Sequence, residues 1–164
     1  MWDELQREFS GNFDAVPWGI TTIRLIGALV LGGLIGLERE WHSKPAGLRT
    51  HILISLAAAL FILVSQQIAA LPFGPPDSGN DALRVDPLRL VQAVTAGVAF
   101  LAAGVMFTAG GKVHHVTTGA SMWLCGAIGL ACGAGQIPLA ALATAITLAV
   151  LLLLRLVERL IGTR

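Results

Sequence analysis

Glu38, Arg39 and Glu40 form an unbroken charged run, and Lys44, Arg49 and Thr50 follow within a few residues. Almost uncharged apolar stretches flank this group, Ile20 to Leu37 before it and Ile52 to Leu71 after it. Ionised side chains crowded against hydrocarbon are costly, which makes them candidates for a working site. Carboxylate, guanidinium and hydroxyl together suit the binding of an ion, a lipid headgroup or a partner protein. The same residues also suit a salt-bridged hairpin that merely fixes topology, with Glu38 and Arg49 pairing across its two arms. Thr117 and Thr118 are expected on the same side, where either can cap a helix. The first candidate cluster is therefore Glu38, Arg39, Arg49, Thr50, Thr117 and Thr118.

Arg24, Asp86 and Arg89 make a second candidate cluster. Asp86 and Arg89 stand three apart across a helix start and can face one neighbour. Asp86 also meets the positive end of that helix dipole. An Arg24–Asp86 or Arg89–Asp86 ion pair is expected, with plain interfacial anchoring by snorkelling as the alternative.

Other chemistries find little support. His42, His51, His114 and His115 fall on the side of the first cluster, and imidazole with carboxylate suits a transition metal. No two histidines have the i, i+4 helix spacing of a metal pair, and Glu38–His42 has it only across a helix end. No metal site and no cofactor is assigned. No nucleophile triad is present, and the glycine-rich runs 97–104 and 126–135 lie in apolar helices and not in phosphate-cradling turns. The expectation is a protein that is not an enzyme. There is no basic stripe or aromatic-interleaved patch for nucleic acid. Cys125 and Cys132, seven apart on one helix face, are too distant to pair and read as packing residues.

The elements that must position these residues are membrane helices. Apolar residues make up 55% and charged residues 13% of the 164, against about 25% charged in a soluble domain. The charges gather at the first 14 residues, the 38–49 hairpin, the 77–89 loop and the last ten residues. The apolar runs between them, about 18–22 residues long, can cross about 30 Å of hydrocarbon as helices. The predicted fold is all-α and polytopic, with five spans at about 18–40, 50–71, 87–108, 116–133 and 137–160. Residues 1–17 read as an acidic segment outside the cytoplasm, with Trp2, Leu5 and Phe9 near the spacing of an interfacial helix. The first span is expected to be retained, since no cleavage site follows it. Trp18 and Trp41, about 34 Å apart along a helix, fit two aromatic belts.

Local punctuation supports these bounds. Ser43, Pro45 and Gly47 give the first hairpin a turn composition. Pro72 to Gly79 is too rich in proline and glycine for helix. Asp86-Pro87 reads as an N-cap followed by proline at the first helical position. Gly110 to His115 reads as a short loop, and Pro138 begins the last span. Positive residues fix the expected orientation. Arg7, Arg84 and Arg89 lie on one side, and Arg39, Lys44, Arg49, Lys112, Arg155, Arg159 and Arg164 on the other. The second side is expected to be cytoplasmic, with the N-terminus outside and the C-terminus inside.

Small residues mark the packing faces: Gly32 and Gly36 in the first span, Gly97 and Gly104 in the third, Gly129 and Gly133 in the fourth. In lipid, close backbone approach drives helix association. These faces serve packing within the chain, or one of them serves a homodimer. At 100° per residue, Arg24 and Glu38 point roughly the same way as Gly32 and Gly36, toward a protein-lined interior.

Together these residues resemble the membrane domain of the MgtC/SapB family. The likeness is carried by Arg24, Gly32, Gly36-Leu37-Glu38-Arg39-Glu40 and Ala46-Gly47-Leu48-Arg49-Thr50. It continues more loosely through Asp86-Pro87-Leu88-Arg89, Gly97 to Val105, Thr117-Thr118, and Trp123 with Gly129-Leu130-Ala131. It spans roughly Ile20 to Arg155. Ala99 and Ala102 stand where the family usually has glycine, and His115-Val116-Thr117-Thr118-Gly119 departs from its usual fourth-span start. Many members carry a soluble domain after the last span, which is not expected in this chain. The resemblance implies a bacterial inner-membrane protein linked to magnesium limitation and virulence-type stress, with Glu38, Arg39, Arg49, Thr50, Asp86 and Arg89 as its functional positions. It also implies action on other membrane complexes.

The expected function is thus a non-enzymatic regulator or interaction partner within the membrane. The alternative is a small divalent-cation transporter or channel for an ion such as Mg²⁺. Against transport, no carboxylate lies mid-membrane to ligate Mg²⁺. The expected partners are the lipid bilayer, a second copy of the chain and a larger membrane complex.

Overall fold

The structure is a computed structural model that describes residues 1–2, 15–70 and 86–161. Five helices make up most of it: α1 (Trp18–Trp41), α2 (Leu48–Ala70), α3 (Pro87–Val105), α4 (Val116–Gly133) and α5 (Ile137–Leu160). All five are long and apolar enough to cross a membrane. Their outward faces carry exposed Ile, Leu, Val and Phe, including Leu29, Phe61, Phe100 and Leu153. In water such a surface would drive aggregation, whereas lipid tails are as apolar as the side chains they meet. The chain is a multi-pass membrane protein. The expected interfacial helix within residues 1–17 lies largely outside the described residues, as does the loop before Asp86.

The core is a three-helix unit of α1, α2 and α4, with α4 the most buried. Glycine makes this contact close. A Cβ on Gly32 would sit 2.6 Å from Ser55 Cβ, and one on Gly36 2.8 Å from Leu48 Cα. One on Gly133 would sit 2.5 Å from the Ala59 carbonyl oxygen, and one on Gly129 would collide with the Ser55 backbone. These four glycines therefore serve packing within the chain. Gly97 and Gly104 differ, since a Cβ there would meet nothing within 4 Å. They lie on a side of α3 that the described residues leave unpacked. α3 sits mainly on α4, and α5 covers α1 and α4.

A polar seam runs through this core. His51 is fully buried. Its Nδ1 lies 2.9 Å from the Gly47 carbonyl and its Nε2 3.1 Å from Ser121 Oγ. Ser121 Oγ donates to the Thr118 carbonyl at 2.9 Å, Ser55 Oγ to the Ala28 carbonyl at 2.8 Å, and Cys125 Sγ to the His51 carbonyl at 3.2 Å. Buried polar groups thus satisfy one another, as a dry interior requires.

Three local features depart from expectation. α3 stops at Val105, short of Thr108, because Phe107–Ala109 (β1) pairs antiparallel with Lys112–His114 (β2). Gly110 and Gly111, at φ 59° and 73°, supply the two left-handed positions of a tight hairpin turn. The expected loop is therefore a β-ribbon. Neither Thr117 nor Thr118 caps α4. Its N-cap is His115, left-handed at φ 62°, with no side-chain cap. α2 begins at Leu48, before Thr50, because Glu40 Oε2 accepts from the Leu48 amide at 2.8 Å across the hairpin.

Candidate functional site

The two charged clusters have different fates. At the end of the bundle holding the start of α1, Arg24 turns away from Asp86. Its Nη1 donates to Gln66 Oε1 and to the Gly133 carbonyl, both at 2.9 Å. The guanidinium thus closes the C-terminus of α4, where unsatisfied carbonyls and the negative end of the helix dipole welcome a cation. The expected Arg24–Asp86 pair is absent for this reason. Asp86 caps α3 through the Leu88 amide at 3.0 Å, and Pro87 occupies the first turn as expected. Arg89 Nε lies 3.9 Å from Asp86 Oδ2, with both side chains exposed. An exposed pair of that length contributes little. All three residues of this cluster thus sit at helix ends, with Arg24 against the C-terminus of α4 and Asp86 and Arg89 at the start of α3.

At the opposite end, the 38–51 hairpin, the β-ribbon and the last turns of α5 meet. Here Glu38 and Arg39 are buried in the final turn of α1. Residues one apart on a helix ordinarily do not face each other, yet Arg39 Nε is hydrogen-bonded to Glu38 Oε2. Both side chains leave the helix end toward one polar pocket of about 470 Å³. Glu38 also lies against His42, with Nδ1 2.9 Å from Oε1. That nitrogen hydrogen-bonds instead to the Glu38 carbonyl at 2.7 Å, and Oε1 has no hydrogen-bond partner among the described residues.

Lys44, Arg155, His114, His115, Thr117 and Thr118 complete the polar lining. The β-ribbon positions the histidines: Phe107 stacks on His114 at 5.1 Å and meets His115 edge-on at 5.2 Å. The left-handed His115 then turns the chain so that α4 starts at the pocket wall. A non-glycine residue in that conformation costs about 1–2 kcal/mol.

Of the first cluster, the structure unites Glu38, Arg39, Thr117 and Thr118. It does not add Arg49 or Thr50. Arg49 is exposed at the start of α2, and the Glu38–Arg49 pair does not form because Glu38 is engaged with Arg39 and His42. Lys44, Arg155 and the three pocket histidines were expected on this side but not in the site, because the meeting of His114, His115 and Arg155 with the hairpin depends on how α4 and α5 stack on α1. The seam residues His51, Ser55, Ser121 and Cys125 were likewise unassigned. Their spacings of four on α2 and four on α4 are the signal of two polar faces turned toward each other. Among the described residues no group of three His, Cys, Asp or Glu is placed to hold a metal. The lining is instead rich in cations.

A family model for MgtC matches residues 25–160, taking in every residue of this pocket. The chain belongs to the MgtC family. It is 39% identical over 139 residues to Protein MgtC of Brucella abortus (strain 2308), an overlap of 85% of this chain and 53% of that relative. It is also 39% identical over 133 residues to Protein MgtC of Salmonella typhimurium (strain LT2), covering 81% of this chain and 52% of the relative. The chain spans about half the length of the curated relatives it matches. No solved structure matches it. The matched region takes in most of the five-helix unit, including the whole pocket at the hairpin end.

Proposed function

We propose that this chain is a non-enzymatic regulator of the bacterial inner membrane that acts by contact with a second copy or with a larger membrane complex. The observation that carries this reading is the use of polar groups within the spans. His51, Ser55, Ser121, Cys125, Thr144 and Thr147 are all committed to hydrogen bonds inside the protein. No carboxylate lies among the described residues between the two ends of the bundle. A hydrated divalent ion in transit needs oxygen ligands along its path, and these groups do not offer one. The unpacked side of α3, bearing Gly97 and Gly104, supplies a surface suited to another helix. The family resemblance adds a link to magnesium limitation and virulence-type stress.

The positive-inside rule supports a cytoplasmic position for the pocket, with the N-terminus outside. One observation favours the competing reading of a small divalent-cation carrier, namely the buried carboxylate of Glu38 at the pocket wall, whose Oε1 accepts no hydrogen bond among the described residues. Extraction of the full chain into lipid nanodiscs directly from membranes tests the proposal. The expected result is recovery as a homo-oligomer or in a defined stoichiometric complex. Recovery as a monomer at native expression would contradict it.

A further inference from the structure

We propose that the pocket at the hairpin end binds a protonated phosphate group, carried either by free hydrogen phosphate or by a phosphomonoester lipid headgroup. Four observations converge on this chemistry.

The first is charge. Arg39, Lys44 and Arg155 line the pocket against a single carboxylate, Glu38. Lys44 forms no ion pair among the described residues, and Arg155 forms none with any other side chain of the pocket. The second is the start of α4. Val116, Thr117 and Thr118 form part of the wall, and no side chain caps the helix. The start of an 18-residue helix, with its leading amides uncapped by any side chain and the positive end of its dipole, therefore lies at the cavity wall.

The third is Arg39. Its side chain is only 5% exposed. Its Nε is used on Glu38, and neither terminal amino group has a partner among the described residues. A buried guanidinium with its fork unused is poised for bidentate recognition of an oxyanion. The fourth is Glu38, whose side chain is 7% exposed and whose Oε1, 2.9 Å from the His42 ring, accepts no hydrogen bond among the described residues. A buried carboxylate oxygen in that state can still accept from a donor that enters the pocket.

Glu38 decides which anion fits. A carboxylate repels an oxyanion unless that anion brings a proton. Hydrogen phosphate and a phosphomonoester monoanion each carry a P–OH that donates to Glu38 Oε1. Their remaining oxygens then accept from Arg39, Arg155 and the α4 amides. Sulfate has the same shape but no proton near neutral pH, so Glu38 rejects it. The cavity is large enough for a headgroup. A phosphate site would serve a regulator and a carrier alike, so its failure leaves the choice between those two readings untouched.

Calorimetric titration of the purified full chain in phosphatidylcholine nanodiscs tests the proposal. Inorganic phosphate is expected to bind saturably, with sulfate at least tenfold weaker. Arg155→Gln should weaken phosphate at least tenfold, while Lys112→Gln, on the exposed ribbon outside the pocket, should leave it unchanged. Glu38→Gln should erase the preference for phosphate over sulfate. Nanodiscs containing phosphatidic acid separate the sources: suppression of phosphate binding assigns the site to the headgroup, and unchanged binding assigns it to free phosphate. Absence of saturable phosphate binding together with no retention of phosphatidic acid over phosphatidylcholine overturns the proposal. So does phosphate binding that Arg155→Gln leaves intact, or sulfate binding as tight as phosphate.

Discussion

Single residues divide sharply by what a Cβ or a donor would meet. Gly129 lies against the Ser55 backbone, which cannot give way as a flexible side chain can. Gly129→Ala should therefore destabilise the fold by about 1–3 kcal/mol, read as a lowered thermal midpoint in detergent. Gly97→Ala is the contrast, since nothing lies within 4 Å. It should leave the monomer as stable or gain up to about 1 kcal/mol from helix propensity. If it also weakens self-association, the α3 face is a contact between copies. Arg24→Ala removes the bonds to Gln66 and Gly133 at once. A loss of about 1.5–3 kcal/mol is expected for charged hydrogen bonds, while Arg89→Ala, exposed beside Asp86, should fall within about 0.5 kcal/mol of the parent. Equal effects of the two substitutions would refute the assignment of Arg24 to the α4 terminus.

Elements depend on how the hairpins close. Glu40 reaches from the end of α1 to the first amide of α2, and Gly47 makes room for it: a Cβ there would sit 2.6 Å from Glu40 Oε2. Glu40→Ala should cost about 0.5–2 kcal/mol, the usual loss of an N-cap, and Gly47→Ala should produce a loss in the same range by displacing the carboxylate. Urea unfolding in mixed micelles reads both. The helices themselves were legible in the sequence, because runs of 18–22 apolar residues admit few other structures. So was the Asp86-Pro87 start of α3, since the cap and the proline are local chemistry. The glycine faces of α1 and α4 were legible as packing surfaces, but their partners were not. Nothing local distinguishes Gly129, pressed on Ser55, from Gly97, which meets nothing. The ribbon was missed although Gly110-Gly111 sits between two short strand-like runs, because three-residue strands give too little alternation to outweigh a loop reading. Of the candidate site, Glu38, Arg39, Thr117 and Thr118 were legible as one cluster, with Lys44 in the same hairpin and His114 and His115 on the same side, while Arg155 joins them only through the stacking of α5.

At the scale of the whole molecule, the charge asymmetry and the dry centre carry the account. The hairpin end holds Arg39, Lys44, Arg49, Lys112 and Arg155, and the positive-inside rule is the ground for proposing that it faces the cytoplasm. A cysteine replacing exposed Ser43 should resist a membrane-impermeant maleimide in intact cells and react after permeabilisation, while Cys125 and Cys132 stay protected by burial. Labelling from outside would invert the topology. The central claim, that this five-helix unit works by contact and not by conduction, is tested most directly by flux. Liposomes reconstituted with the full chain and loaded with a magnesium-sensitive dye should show no protein-dependent Mg²⁺ entry under either an inward gradient or an imposed potential. Saturable Mg²⁺ entry that Glu38→Gln abolishes would contradict it.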